Sequence, residues 1–436
     1  MRPNRPPSAT KIAVAAAVVA GALIAPAASA AATHRGSCYD KDLPITVEEQ
    51  RLDNRTQPDQ PPAAKQILAG TGFDKTVRAF DKALCGAAGY EDARELVRHR
   101  GEALWKAATD RAQHDVPAGM LPATDDRGLY WARVSMAKLI HQWAPSGGLS
   151  RAERSELSKL LEYTSRGMTD DTFSGADGVM RVLVTGFDPF TLDQDIRIGN
   201  PSGANALTLD GQTWQVGGRT VEIQTAVFPV RYADFDDHMV ETVLTPHYRA
   251  GDQRADMVVT VSQGRVGVFD LEVWNGRRRS VSSIGDNNNV QGGGSYTHPV
   301  VPPGMPAGPE FLKSSLPYTE MADTPVPPFT TRVHTAVVEI PKGETNPVVR
   351  PDGPTKGSVA VEGGGGGYLS NEIAYRNTLL RKHFLPSMPA GHLHVPVLQF
   401  GGGNPYDITD PTYEANREAI VDGAHAMLRN GIAALG

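Results

Sequence analysis

The chain has little cysteine: two residues, Cys38 and Cys85, in 436. Two cysteines this far apart argue against a zinc cluster and leave one disulfide or two thiols as the options. Also missing are the signatures G-x-S-x-G, G-x-x-x-x-G-K-[ST], H-E-x-x-H and G-x-G-x-x-G. Their absence weakens the α/β-hydrolase, nucleotide-binding, zincin and dinucleotide readings, and no cofactor or metal is implied. After the N-terminus no stretch reaches the ~18 apolar residues of a membrane span. A positive excess is lacking too, since the formal net charge is −6.

At the N-terminus, Arg2, Arg5 and Lys11 precede an apolar run, Ile12–Ala25, and Ala28-Ser29-Ala30 has the small-residue form of a cleavage site. This pattern predicts a signal peptide over residues 1–30 and a secreted, extracellular protein without a membrane partner after cleavage. Cleavage removes three positive and no negative charges and takes the net charge from −6 to −9. That argues against a nucleic-acid partner. In an exported protein, Cys38 and Cys85 are free to pair.

Residues 31–62 are polar and proline-rich, with room for one short helix. From Ala63 to Met168 the pattern is helical: Leu129, Met136, Ile140 and Trp143 share one face, and Ser150 with Glu153 forms a capping box. Residues 31–168 are therefore expected to form a small all-helical region, and the polar, glycine-containing segment 169–178 a linker. From Val179 the texture changes. Strand runs at Val179–Val184, Val221–Val227, Met257–Val261, Thr335–Ile340, Ser358–Val361 and Leu393–Phe400 alternate with helical runs at Ala233–Tyr248 and Tyr368–Leu380. A last helix opens at Asp410-Pro411. Residues 179–436 are predicted to form a three-layer α/β/α sandwich with a mainly parallel sheet. Residues 285–330, rich in Gly, Asn and Pro, form a long excursion placed near the site or left disordered.

The stretch Val361–Tyr375, VEGGGGGYLSNEIAY, combines a strand, a glycine turn and a helix start. Glycine permits positive φ and close backbone approach, and free N–H groups at a helix start carry partial positive charge. Ser370 in that first turn has an electrophile-binding surface beside it. Thr185–Phe190 (TGFDPF) follows the first strand, where open α/β sheets bind ligands, so Phe187 and Phe190 are candidate walls of a small apolar pocket. Asn200-Pro201-Ser202 is a helix cap with proline at the first position. Ser262-Gln263-Gly264-Arg265 ends another strand, and His392 and His394, two apart, share a strand face.

In order and texture these segments resemble the pyroglutamyl peptidase I, or pyrrolidone-carboxylate peptidase, family. The likeness runs over about residues 179–436 and rests on Thr185–Phe190, Asn200–Ser202, Ser262–Arg265, Glu272–Asn275, Gly365–Asn371 and His394-Val395-Pro396. It implies a peptidase that removes N-terminal pyroglutamate from peptides, without a cofactor and with an oligomer possible. The family's Cys, His and Glu fall on Ser370, His394 and Glu272. Serine thus replaces cysteine, and Glu272 needs a one-residue gap in the alignment, with Asp270 the runner-up carboxylate. Phe187, Phe190, Gln263 and Asn200 are the implied substrate-binding residues. A catalytically inactive relative that binds N-terminally blocked peptides is the alternative.

Overall fold

The computed structural model describes residues 38–435, so the predicted signal sequence lies outside the described residues. Among the described residues six α-helices come first: α1 (Val47–Gln50), α2 (Ala63–Thr71), α3 (Asp74–Gly86), α4 (Tyr90–Ala112), α5 (Arg127–Gln142) and α6 (Arg151–Thr164). Their starts follow local chemistry. Thr46 with Glu49 and Ser150 with Glu153 form reciprocal capping boxes that satisfy otherwise unpaired N–H groups. The predicted stripe Leu129, Met136, Ile140 and Trp143 is buried. Cys38 and Cys85 are bonded, with Cα atoms 5.5 Å apart and a sequence separation of 47. Closing a loop of that length contributes about 4 kcal/mol in the chain-entropy treatment. Reduction is therefore expected to lower Tm measurably in a thermal melt with and without dithiothreitol.

Residues 165–179 carry no helix or strand but are pinned: Phe173 is buried, and Asp171 Oδ2 pairs with His247 Nε2 at 3.0 Å. The α/β part then runs β1 (Met180–Phe187), α7 (Pro201–Leu209), β2 (Thr213–Val216), β3 (Arg219–Phe228), α8 (Tyr232–Asp236), α9 (Met239–Tyr248), β4 (Met257–Gln263) and β5 (Val268–Glu272). It continues with β6 (Trp274–Gly276), β7 (Phe311–Lys313), α10 (Tyr318–Ala322), β8 (Thr330–His334), β9 (Val337–Ile340), β10 (Val348–Arg350) and β11 (Val359–Glu362). The last elements are α11 (Leu369–Phe384), β12 (Ala390–Val395) and α12 (Pro411–Ala433).

The main sheet has the order β2-β3-β1-β4-β12-β5-β8. β3, β1, β4 and β12 are mutually parallel, as are β5 and β8; β2 opposes β3, and β5 opposes β12. Alternate side chains feed two cores. Val182, Val184, Val259 and Leu393 pack under α12 through Ile420, Ala424 and Met427. Leu183, Phe228, Val258 and Ala390 pack under α9 and α11 through Val240, Leu244 and Ile373. This is the predicted three-layer, mainly parallel sandwich preceded by a helical region.

Several local expectations shift. Ser358–Val361 is strand, but it belongs to a separate antiparallel sheet, β10-β9-β11, along with most of Thr335–Ile340. The strand expected at Leu393–Phe400 lies earlier, because Pro396 cannot donate to a ladder. The helix expected at Ala233–Tyr248 breaks at His238, which has φ 62°. The 285–330 excursion is built into the structure: Asp286 accepts the N–H groups of Tyr232, Asn288 and Val290.

Candidate active site

The parallel strands β1, β4 and β12 end at one edge of the sheet, and a small cleft opens there. Five of the residues singled out by sequence line it together: Phe187, Phe190, Asn200, Gln263 and Ser370. Each arrives by its own route. Phe187 closes β1 and packs on Phe228 and Phe235. Phe190 stacks on Tyr368, ring centroids 6.4 Å apart. Asn200 caps α7, accepting from Ser202 N (3.1 Å) and Ser202 Oγ (2.8 Å) while donating to Asp188 O (2.9 Å). It therefore lines the cleft with its amide already committed to the cap. Gln263 Oε1 accepts from Leu398 N at 3.4 Å.

Ser370 lies in the first turn of α11, whose leading N–H groups have no intrahelical acceptor. Its hydroxyl donates to Gly365 O at 2.9 Å and makes no hydrogen bond to His394. The glycine run serves the protein's own side chains more than an open approach for ligand. A Cβ at Gly364 would fall 2.0 Å from Glu272 Oε2, and only Gly366 of the five has positive φ, 81°. This turn touches Glu272 at Gly364 and Ser370 at Gly365.

Glu272 is fully buried at the end of β5, and its Oε1 accepts from His394 Nδ1 at 2.7 Å. With Nδ1–H given to a carboxylate, His394 carries its lone pair on Nε2, the arrangement a general base requires. His394 sits beside the cleft wall. It is in register with Ser262 of β4, as Val395 is with Gln263, and both Ser262 and Gln263 line the cleft. Gly264 completes the fit, since a Cβ there would lie 2.6 Å from the His394 Cβ. Asp270, the other candidate carboxylate, is occupied by Arg265 (2.5 Å) and Arg332 (2.6 Å).

Three participants escaped sequence reasoning. His334, at the end of β8, holds the second oxygen of Glu272 with its Nδ1 at 2.7 Å. Tyr368 walls the cleft, its hydroxyl donated to Gly285 O. Ser262 faces the cleft with its hydroxyl 2.8 Å from His392 Nε2. The glycine turn pointed toward Tyr368, the next residue. Ser262 adjoins Gln263 in the Ser262–Arg265 segment, and His334 sits in a segment that carries no motif for such a role.

Burial alone would push the Glu272 carboxyl up. Hydrogen bonds from His334 and His394 outweigh it and hold the group at about 2, against an ordinary 4.5. A carboxyl lowered by folding contributes stability that is fully present above its unfolded value and lost as pH falls through the folded one. Glu272 is therefore expected to contribute about 3 kcal/mol above pH 5, vanishing toward pH 2. Denaturant titrations of wild type and Glu272→Gln should show a stability gap that narrows over that window. A gap independent of pH would contradict the assignment.

Fold and site together define an α/β protein with a hydroxyl nucleophile candidate lining a cleft and a buried His–carboxylate pair on the strands beside it. The chain belongs to the PA0049 family. The family described as PA0049 N-terminal domain matches residues 27–162, and that described as PA0049, C-terminal domain, matches residues 181–310 and 302–399. The uncharacterized protein PA0049 of Pseudomonas aeruginosa is 37% identical over 496 aligned positions, covering 89% of each chain. Among solved structures, pyrrolidone carboxyl peptidase from Pyrococcus furiosus is similar at 19% identity, covering 59% of this chain and 100% of its own, with a TM-score of 0.38. A point mutant of that enzyme is similar at 20% identity, with the same coverages and a TM-score of 0.39.

Proposed function

We propose that this protein is an exported hydrolase that removes N-terminal pyroglutamate from peptides by acyl transfer through Ser370, His394 and Glu272. The observation that carries the proposal is the Glu272–His394 pair at 2.7 Å, beside the cleft that Ser370 lines, with His394 Nε2 free to take a proton. The motif resemblance of residues 179–436 supplies the substrate class, and an aromatic-walled slot suits a small, flat, uncharged lactam.

In this scheme the Ser370 oxygen bonds to the acyl carbon as its proton passes to His394 Nε2, and Glu272 stabilises the imidazolium. The N–H groups of the glycine turn at Gly363, Gly364 and Gly366 are given to backbone carbonyls, so donors to the oxyanion in this scheme come from the start of α11, each worth ~2.7–4 kcal/mol where it engages. The imidazolium protonates the departing amine. Water, deprotonated by the same histidine, then releases pyroglutamate from the serine ester. Serine cannot be pre-ionised as a thiol can, so proton removal during attack is obligatory. The paired cysteines and the leader-like sequence pattern of residues 1–30 support export.

A second reading is a binder of N-terminally blocked peptides without turnover. One observation favours it: the resting Ser370 hydroxyl is bonded to Gly365 O and not to the imidazole. Assay of purified protein on a pyroglutamyl-amide reporter separates the two. Release of pyroglutamate is expected, and saturable binding without release would leave only the second reading.

A further inference from the structure

A second carboxylate, imidazole and hydroxyl meet in the helical region, outside the cleft and unused by the scheme above. Glu49 is the third residue of α1, and the capping box with Thr46 fixes its side chain, Oε2 accepting the Thr46 N–H at 3.0 Å. Its Oε1 meets Nδ1 of His141, on α5, at 2.6 Å. The other ring nitrogen, Nε2, lies 3.1 Å from Ser158 Oγ on α6. Glu49 is buried, whereas His141 and Ser158 both line a hollow of about 270 Å³ between α6 and the α8–α9 segment. A carboxylate only accepts, so the contact with Glu49 places a proton on Nδ1. In the neutral ring the lone pair is then on Nε2, facing the Ser158 hydroxyl, whose other acceptor is Arg154 O at 3.0 Å. The imidazolium would instead donate from Nε2 to the Ser158 oxygen, so the neutral ring is the form that can take the serine proton. Ser155, one turn earlier on α6, lines the same hollow, but the imidazole is bonded to Ser158 and not to it.

The hollow also restricts what can react there. Lys159 and Arg231, the cations of its wall above Ser158, are paired with Asp237 (2.6 Å), Glu162 (2.7 Å) and Asp234 (2.7 Å), which leaves no positive excess to draw an anion. Ala233 and Met239 supply an apolar part of the wall. Ser158 lies in mid-helix, where backbone N–H groups are spent on the helix ladder and cannot form an oxyanion hole. The donor on the wall is the Asn288 amide, whose Oδ1 accepts Glu48 N–H at 3.2 Å and whose NH2 is left for the hollow. A single side-chain donor suits an ester, whose alcohol leaves more readily than the amine of an amide. We propose that Ser158 and His141, with Glu49 positioning the imidazole, form a second catalytic site that hydrolyses uncharged short-chain esters. The Ser158 oxygen bonds to the acyl carbon as its proton passes to His141 Nε2. The bond to the alcohol oxygen then breaks, and the alcohol takes that proton. Water, deprotonated by the same nitrogen, attacks the acyl-serine, and Ser158 leaves with the proton as the carboxylic acid is released. This site is separate from Ser370 and does not rest on the peptidase reading.

The test uses the full chain carrying Ser370→Ala, so that a reaction through Ser370 is silent. The protein is treated with diisopropyl fluorophosphate, in which serine displaces fluoride, and the labelled serines are mapped by mass spectrometry. Turnover is read with p-nitrophenyl acetate. Label on Ser158 and not on Ser155 is expected, with ester turnover above that of Ser158→Ala. His141→Ala should slow labelling by about 10²–10⁴-fold, the worth of a placed general base. Glu49→Gln should lower the maximal labelling rate and leave the half-saturating probe concentration unchanged, a split that a merely structural role would not produce. Ser158→Ala puts the best helix former into the middle of α6, so the fold is kept while label and turnover are lost together. No label on Ser158, equal label on Ser155 and Ser158, or an unchanged rate in His141→Ala overturns the proposal. Label without turnover overturns it too, because an activated serine would then remain without an ester reaction. So does turnover that survives Ser158→Ala in full.

Discussion

Ser370→Ala is expected to lower kcat/KM for a pyroglutamyl-amide reporter by about 10⁴-fold or more, with Kd for the same compound nearly unchanged. The hydroxyl supplies the atom that bonds to the acyl carbon, and no methyl group can replace it. His394→Ala should cost about as much, and the double variant little more than either single, because nucleophile and base act as one unit. Ser370→Cys is the informative companion. A thiol in the first turn of α11 gains from the helix-start N–H groups, so part of it ionises near neutral pH and attack no longer waits on His394. Its rate should fall less on His394 removal than the serine enzyme's does. For the serine enzyme, the bond to Gly365 O must first break so that the hydroxyl can turn toward the imidazole. Retained turnover in Ser370→Ala would end the nucleophile assignment, and turnover confined to Ser370→Cys would favour the binding protein.

Sequence patterns brought most of this cleft into view because its parts sit in short, local signals. TGFDPF, the glycine turn and His392/His394 each end or begin an element, and parallel strands bring such ends to one edge. What stayed hidden depends on long-range pairing. Asp270 and Glu272 share a face of β5, and from sequence alone either suits His394. The choice is made by Arg265 and Arg332, which occupy Asp270, and by His334, which lies 62 residues from Glu272 across the long excursion. A glycine run suggests room for a ligand, but Gly364 packs on Glu272, Gly363 and Gly365 on Asn371, and Gly367 on Ser280, so the lack of Cβ is used for close packing inside the protein. β12 stops at Val395 because Pro396 has no N–H with which to continue the ladder.

Asp188→Asn is expected to cost about 3–5 kcal/mol of stability, because it leaves buried guanidinium charge without its carboxylate. Asp188 is the central acid of TGFDPF, and the segment's strand-end position gave it no assigned role. One of its carboxylate oxygens is bonded by Arg133 of α5, and the other by Arg166, just beyond α6, at 2.6 Å; all three side chains are nearly inaccessible. Arg166 keeps a second partner in Glu162 at 2.7 Å, while Arg133 would retain only the Ser165 carbonyl at 3.3 Å. The loss should therefore fall mainly on Arg133, and Arg133→Met combined with Asp188→Asn should recover part of it, a coupling that a double-mutant cycle in denaturant reads directly. The clamp also bears on the cleft. Phe187 and Phe190 flank Asp188, and Asn287 ties the same segment to the helical region, donating to Pro189 O at 2.9 Å and to Glu48 of α1 at 3.1 Å. Two helices and the segment after α6 thus hold one side of the cleft in place, so a weakened clamp should raise KM before it changes kcat. Cooperative unfolding of the helical region together with the sheet, lost in Asp188→Asn, is the expected signature in hydrogen exchange. Independent melting of residues 47–164 in the wild type would show that the helical region is not part of the site's support.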